Sequence, residues 1–144
     1  MPLLTRLVVI AMAALVPMPA LAAGIAATLY KDPECGCCEE YARYLEAHGF
    51  AVERKSTTDM ASVHAAAGVP FGLDGCHATF IGGYVVEGHV PVAAIRKLLA
   101  EKPAIRGISL PGMPAGSPGM DGTKVTPFHI YAITEGGSLP FMED

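Results

Sequence analysis

An α/β fold, a mixed sheet with helices on its faces, is what this chain of 144 residues predicts, with its patterned segments in the order β-α-β-α-β-β-α. Three observations carry that reading. A short apolar strand runs straight into cysteines at the mouth of an amphipathic helix, and a second strand and helix follow. A Gly82-Gly83 turn then joins two more strands, and a last amphipathic helix comes after them. This is the order of a thioredoxin-like domain, in which Cys-x-x-Cys chemistry sits where the first strand enters the first helix.

Taken in order, residues 26–30 (A-A-T-L-Y) form the first strand, ended by Lys31-Asp32-Pro33. A helix runs from Cys37 to His48, with Tyr41, Tyr44, Leu45 and His48 at three- and four-residue spacing and Gly49 as its C-terminal stop. Residues 50–55 alternate weakly and give a second strand. Thr58 or Asp59 caps a short helix that ends near Gly68. Residues 78–81 and 84–88 form a hairpin on the Gly-Gly turn. Pro91 opens the last helix, which places Val92, Ile95, Leu98 and Leu99 on one face and stops before Pro103. Beyond it the composition changes. Residues 107–122 (G-I-S-L-P-G-M-P-A-G-S-P-G-M-D-G) are too rich in Gly and Pro for a regular element. One more strand is expected within residues 125–133, and residues 136–144 read as a loose tail. Residues 23–135 thus make one domain with an irregular extension that carries methionines.

The start of the chain reads as a leader. Arg6 precedes an apolar run of about a dozen residues, well short of the ~20 needed to span a bilayer, and an A-x-A site ends at Ala22. Residues 1–22 are therefore expected to be a cleaved signal peptide. The mature chain would begin at Ala23, exported and without a membrane anchor. With 10 Lys+Arg against 14 Asp+Glu, a formal net charge of −4 and no basic run, nucleic acid is not an expected partner.

The cysteines carry the chemistry. Three of the four stand in E-C-G-C-C-E-E as Cys35, Cys37 and Cys38, and Cys76 stands far downstream in G-C-H-A-T-F-I. Two structural disulfides would be the ordinary expectation in an oxidising compartment, but adjacent Cys37 and Cys38 cannot bridge each other without strain. Cys35 and Cys38 can pair as a C-x-x-C, and Cys76 can pair with any of the three. Clustered thiols at a helix N-terminus ionise easily, and thiolates serve both as nucleophiles and as soft metal ligands. Cys76 occupies the place where a thioredoxin-like oxidoreductase keeps the proline that faces its dithiol, which favours metal binding. Met113 and Met120, each in a P-G-M triplet of the irregular segment, lack the gap-filling role of a core methionine. Thioether, thiolate and imidazole together suit Cu(I), and His89 in E-G-H-V-P is placed to join them. His48, His64 and His129 have no expected ligand role, and Met60 and Met142 read as packing or tail residues. His77 is undecided, because strand alternation turns it away from Cys76. A thiol–disulfide oxidoreductase using Cys35 as attacking thiolate and Cys38 as resolving thiol is the alternative, and a zinc-stapled domain is a third reading.

Four motifs in this order, C-G-C-C before a helix, G-C-H before a strand, V-V-E-G-H-V-P and P-G-M-P-A-G-S-P-G-M, resemble the CopG-type family of periplasmic copper-resistance proteins. The resemblance spans residues 28–121. It implies a thioredoxin-like fold, copper bound as more than one Cu(I) and a part in copper tolerance; the expected protein sequesters Cu(I) or cycles it with Cu(II), with other periplasmic copper-handling proteins as expected partners. Matched motif by motif, it implies Cys35, Cys37, Cys38 and Cys76 as metal ligands, with His89, Met113 and Met120 in support.

Overall fold

The computed structural model describes residues 23–144; the leader expected over residues 1–22 lies outside the described residues. Three helices and seven strands follow one another as β1 (Ile25–Lys31), α1 (Gly36–Ala47), β2 (Phe50–Ser56), α2 (Met60–Ala67), β3 (His77–Ile81), β4 (Tyr84–Gly88), α3 (Val92–Glu101), β5 (Gly107–Leu110), β6 (His129–Thr134) and β7 (Gly137–Glu143). The strands form one mixed sheet in the order β2-β1-β3-β4-β5-β6-β7. β1 pairs parallel with β2, and β4 with β5; the other neighbours are antiparallel.

The expected order of elements holds through α3. After Pro103 the strand expected within residues 125–133 is present as β6, but the chain adds two more, β5 and β7, that were not expected. Residues 107–110, expected to be irregular, are β5, wholly buried beside β4. Gly107 is required there, because a Cβ at that position would stand 1.8 Å from the Val85 carbonyl oxygen. The tail over residues 136–144 is not loose. It is the edge strand β7, paired with β6 over its length. Its alternation is hidden in the sequence by Pro140 and by an exposed face, both of which an edge strand tolerates.

Alternation along the strands divides the core into two layers. Ala27, Leu29, Ile81, Val86 and Ile108 pack against Tyr41, Ala42 and Leu45 of α1 and Val92, Ile95 and Leu98 of α3. On the other face Ala78, Val85 and Ile133 meet Leu73 and the apolar side of α2. Asp59 caps α2 by accepting the Ser62 amide, and Gly68 ends it in the left-handed conformation.

Two devices fix the start of α1. The Lys31 side chain is buried; its ammonium donates to the carbonyls of Asp32 (3.1 Å) and Pro33 (3.3 Å) and pairs with Glu39 at 3.2 Å. Arg54 on β2 then joins Glu39 to Glu46, which ties the outer face of α1 to the sheet. The Glu39 carboxyl is held below its ordinary range, first by Lys31 and then by Arg54. The loop bearing Cys35 is therefore anchored from beneath before any ligand is considered.

Candidate metal centre

Cys35 is the N-cap residue of α1, and its side chain accepts no capping bond. Cys37 and Cys38 lie in the first turn, where unpaired amides and the helix dipole favour anionic sulfur. Cys38 is wholly buried, and Cys37 is half-buried. Cys35 and Cys38 are joined as a disulfide, with their Cα atoms 5.4 Å apart, and Cys37 and Cys76 are free thiols.

The long sequence gap to Cys76 closes in space. Its Sγ lies 3.4 Å from Cys38 Sγ and 3.8 Å from Cys37 Sγ, and Cys37 Sγ is 3.5 Å from Cys35 Sγ. Burial and the neighbouring Cys37 push the Cys76 thiol up to about 12. Three contacts hold the loop in front of it. The Ser109 hydroxyl donates to the Leu73 carbonyl at 2.6 Å, the Gly75 amide donates to Glu87 Oε2 at 3.1 Å, and Gly75 packs against Gly88 so closely that a Cβ would reach its nitrogen at 3.0 Å.

Two imidazoles sit behind the sulfurs. His77 is buried and stacks on Tyr41 with ring centroids 4.7 Å apart, and its ring lies 4.9 Å from that of His89. His77 Nε2 donates to the Gly88 carbonyl at 3.1 Å, which leaves Nδ1 as the lone-pair nitrogen, 3.7 Å from Cys76 Sγ. His89 is tied the other way round. Its Nδ1 donates to the Pro118 carbonyl at 2.6 Å, and its Nε2 is buried with no partner. Burial lowers both histidines, His77 to about 3, so both present neutral rings. One ring nitrogen bound to a backbone carbonyl and the other bare is the arrangement found in metal-ligating histidines. One donor atom from each of Cys76, His77 and His89 fits within a span of 4.8 Å, as does one from each of the four cysteines.

The methionines divide. Met113 Sδ accepts from the Cys76 thiol at 3.5 Å, and its backbone has a φ of +46°, rare for a residue with a side chain. Met120 makes no sulfur contact of this kind; it shares with Cys37, Glu40 and Asp121 the wall of a cavity of about 380 Å³. Of the residues singled out in the sequence, Cys35, Cys37, Cys38, Cys76, His89 and Met113 are thus brought together, and Met120 stands at the margin.

His77 is the residue whose place the sequence did not decide. Alternation does separate it from a Cys76 in the same strand. Cys76, however, precedes β3 and escapes its pleat, and the α1 cysteines lie on the face to which His77 points. His64, read as inert, is also buried, with Nε2 3.5 Å from Glu87 Oε2. Glu87 lies wholly inside with Oε1 unpartnered; burial first, with Asp74 adding, raises its carboxyl to about 8.

The donor set is two free thiols, a disulfide that can yield two more, two neutral imidazoles and one adjacent thioether. These are soft and borderline ligands, which fit copper and give a hard cation nothing to bind. Two solved structures, titled "Copper resistance protein copG- Form 1" and "Copper resistance protein copG- Form 2", are similar to the chain. Each is 38% identical, with a TM-score of 0.76, over 84% of this chain and 98% of that one. Residues 73–120 match the family described as "Protein of unknown function, DUF411". No curated protein matches the chain.

Proposed function

We propose, from the premise that this chain belongs to the CopG family of copper resistance proteins, that it binds copper as Cu(I) at the cysteine–histidine cluster and so contributes to copper tolerance in the periplasm. The observation that carries the reading is the junction at Cys76. A sulfur from the mouth of β3 meets the sulfurs of Cys37 and Cys38, with Cys35 within 4.8 Å, beside two buried imidazoles: His77 Nδ1 faces Cys76, and His89 Nε2 has no partner. The leader expected over residues 1–22 accounts for export. Among the described residues no helix is long and apolar enough to cross a membrane. The scaffold is read as thioredoxin-like, with its dithiol position adapted to hold metal.

On this reading each group has a task. Cys35, Cys37, Cys38 and Cys76 supply thiolates, enough in the reduced chain for more than one Cu(I). His77 and His89 supply neutral nitrogen from the protein side, and Met113 closes the solvent side with thioether sulfur. Met120 guards the approach along Cys37. Copper binding must displace the Cys76 proton, because ligation requires the thiolate. Affinity therefore falls as pH drops. The test is an anaerobic Cu(I) titration against a chromophoric chelator, with wild type beside Cys76→Ser. Loss of most of the bound copper in the variant is the expected result, and unchanged binding refutes the centre.

One observation favours a second reading. The Cys35–Cys38 disulfide is the oxidised half of a thiol–disulfide oxidoreductase. Against it, the Cys76 sulfur already stands within 4.8 Å of Cys35, the sulfur at which a substrate would have to form its mixed disulfide. Insulin-reduction turnover by the metal-free protein separates the two; the copper centre predicts none above background.

A further inference from the structure

The disulfide and the free thiols occur together, and their arrangement bears on what the oxidised chain can still do. Closing Cys35 to Cys38 removes two sulfurs from the donor set, since a disulfide sulfur is a far poorer ligand than a thiolate. The remaining donors do not scatter. Cys37 and Cys76 stay free with their sulfurs 3.8 Å apart. Metal–thiolate bonds of roughly 2.3 Å meeting at 120° would place two sulfurs about 4 Å apart. Around Cys76 stand His77 Nδ1 at 3.7 Å and Met113 Sδ at 3.5 Å. His89 Nε2 is buried and unpartnered beside them, and Cys76, His77 and His89 form a compact donor group that includes neither disulfide sulfur.

We infer that the disulfide form keeps a smaller soft-metal site of its own, one Cu(I) held on Cys76, the residue at which the Cys37 sulfur on one side and the His77–His89 pair on the other meet, with Met113 beside it. The Cys35–Cys38 bond then sets how much copper the chain holds, not whether it holds any. An external dithiol changes the setting. It gives two electrons and two protons to Cys35 and Cys38, their S–S bond breaks into two thiols, and the dithiol leaves as its own disulfide. The reduced chain gains two sulfurs on the α1 side without moving Cys76.

This inference rests on the copper-centre reading, and its test is chosen to separate the two. Metal-free protein with its disulfide intact, shown by a thiol reagent to have two free thiols, is titrated anaerobically with Cu(I) against bicinchoninate. Dithiol-reduced wild type and the Cys35→Ser/Cys38→Ser variant are titrated beside it; the variant removes the same two sulfurs with no redox chemistry. The expected result is one Cu(I) in both the oxidised protein and the double variant, and more in the reduced wild type. Adding Cys76→Ser to the double variant should abolish binding. If the oxidised protein and the double variant bind none while reduced wild type binds copper, this inference fails and the copper centre stands. If oxidised and reduced protein bind equal amounts, the disulfide sets nothing and the inference fails as well. If reduced wild type binds none, both readings fall together.

Discussion

At the scale of single residues, the sequence announced the kinds of donor but not all their partners. Cysteine, methionine and His89 were legible because their types and spacing fit no ordinary structural role. His77 was not, because its role follows from which sheet face α1 covers, and pairwise alternation with Cys76 says nothing about that. The two methionines, equivalent in the sequence, are not equivalent in space, which sharpens an expectation about them. Met113→Leu should weaken Cu(I) binding by about tenfold or more and leave zinc affinity nearly unchanged, whereas Met120→Leu should do much less. Competition titrations with both metals measure this, and equal losses in the two variants would contradict it. Glu87 supports a second expectation. Its carboxyl titrates at about 8 in the folded chain against 4.5 ordinarily, so between those values the native state holds a proton that the unfolded chain has lost, and stability falls as pH rises through that window. His64, His77 and His89 are shifted down from 6.5. The unfolded chain binds protons below 6.5 that the native state refuses, so stability also falls as pH drops, for His77 down to about 3. The metal-free protein should be most stable near pH 6.5. Glu87→Gln should flatten the alkaline side between pH 6.5 and about 8 in thermal melts, and leave the acid side in place.

At the scale of elements, the helices were the easiest to read, because their ends carry chemical stops. Asp59 and Gly68 bracket α2, and Pro91 opens α3. β5 and β7 were hidden for opposite reasons. β5 is short and buried on both faces, so it shows no alternation; β7 is an edge whose exposed face and proline look like a tail. The loop between β5 and β6 was legible as irregular, but its attachment to the rest was not. Gly119, at φ +80°, packs on the backbone of α1, where a Cβ would meet the Tyr41 nitrogen at 2.7 Å. Gly119→Ala should therefore lift the neighbouring Pro118 carbonyl from His89. Beyond a backbone cost of about 1–2 kcal/mol, this should lower Cu(I) affinity by about 10–100-fold. A variant that melts earlier but keeps its affinity would show that the bond between Pro118 and His89 is only structural.

At the scale of the molecule, the proposed centre would draw on parts far apart in the chain: the mouth of α1, the start of β3, the exit of β4 and the loop after β5. Copper bound there joins all four. Metal should accordingly stabilise the whole fold, by about 2.7 kcal/mol at a hundredfold excess over Kd. It should also slow amide exchange across residues 111–122 as much as in α1; protection confined to α1 would mean that the loop takes no part. The Pro118–His89 bond has one more consequence, and it concerns time. His89 Nε2 lies in the interior, and its ring is pinned by a carbonyl of the loop above it. Copper held on that nitrogen could leave no faster than the loop lifts. Lid opening spans roughly microseconds to seconds, so in this chain the loop, separately from the strength of the ligands, would set how promptly copper could pass to a recipient.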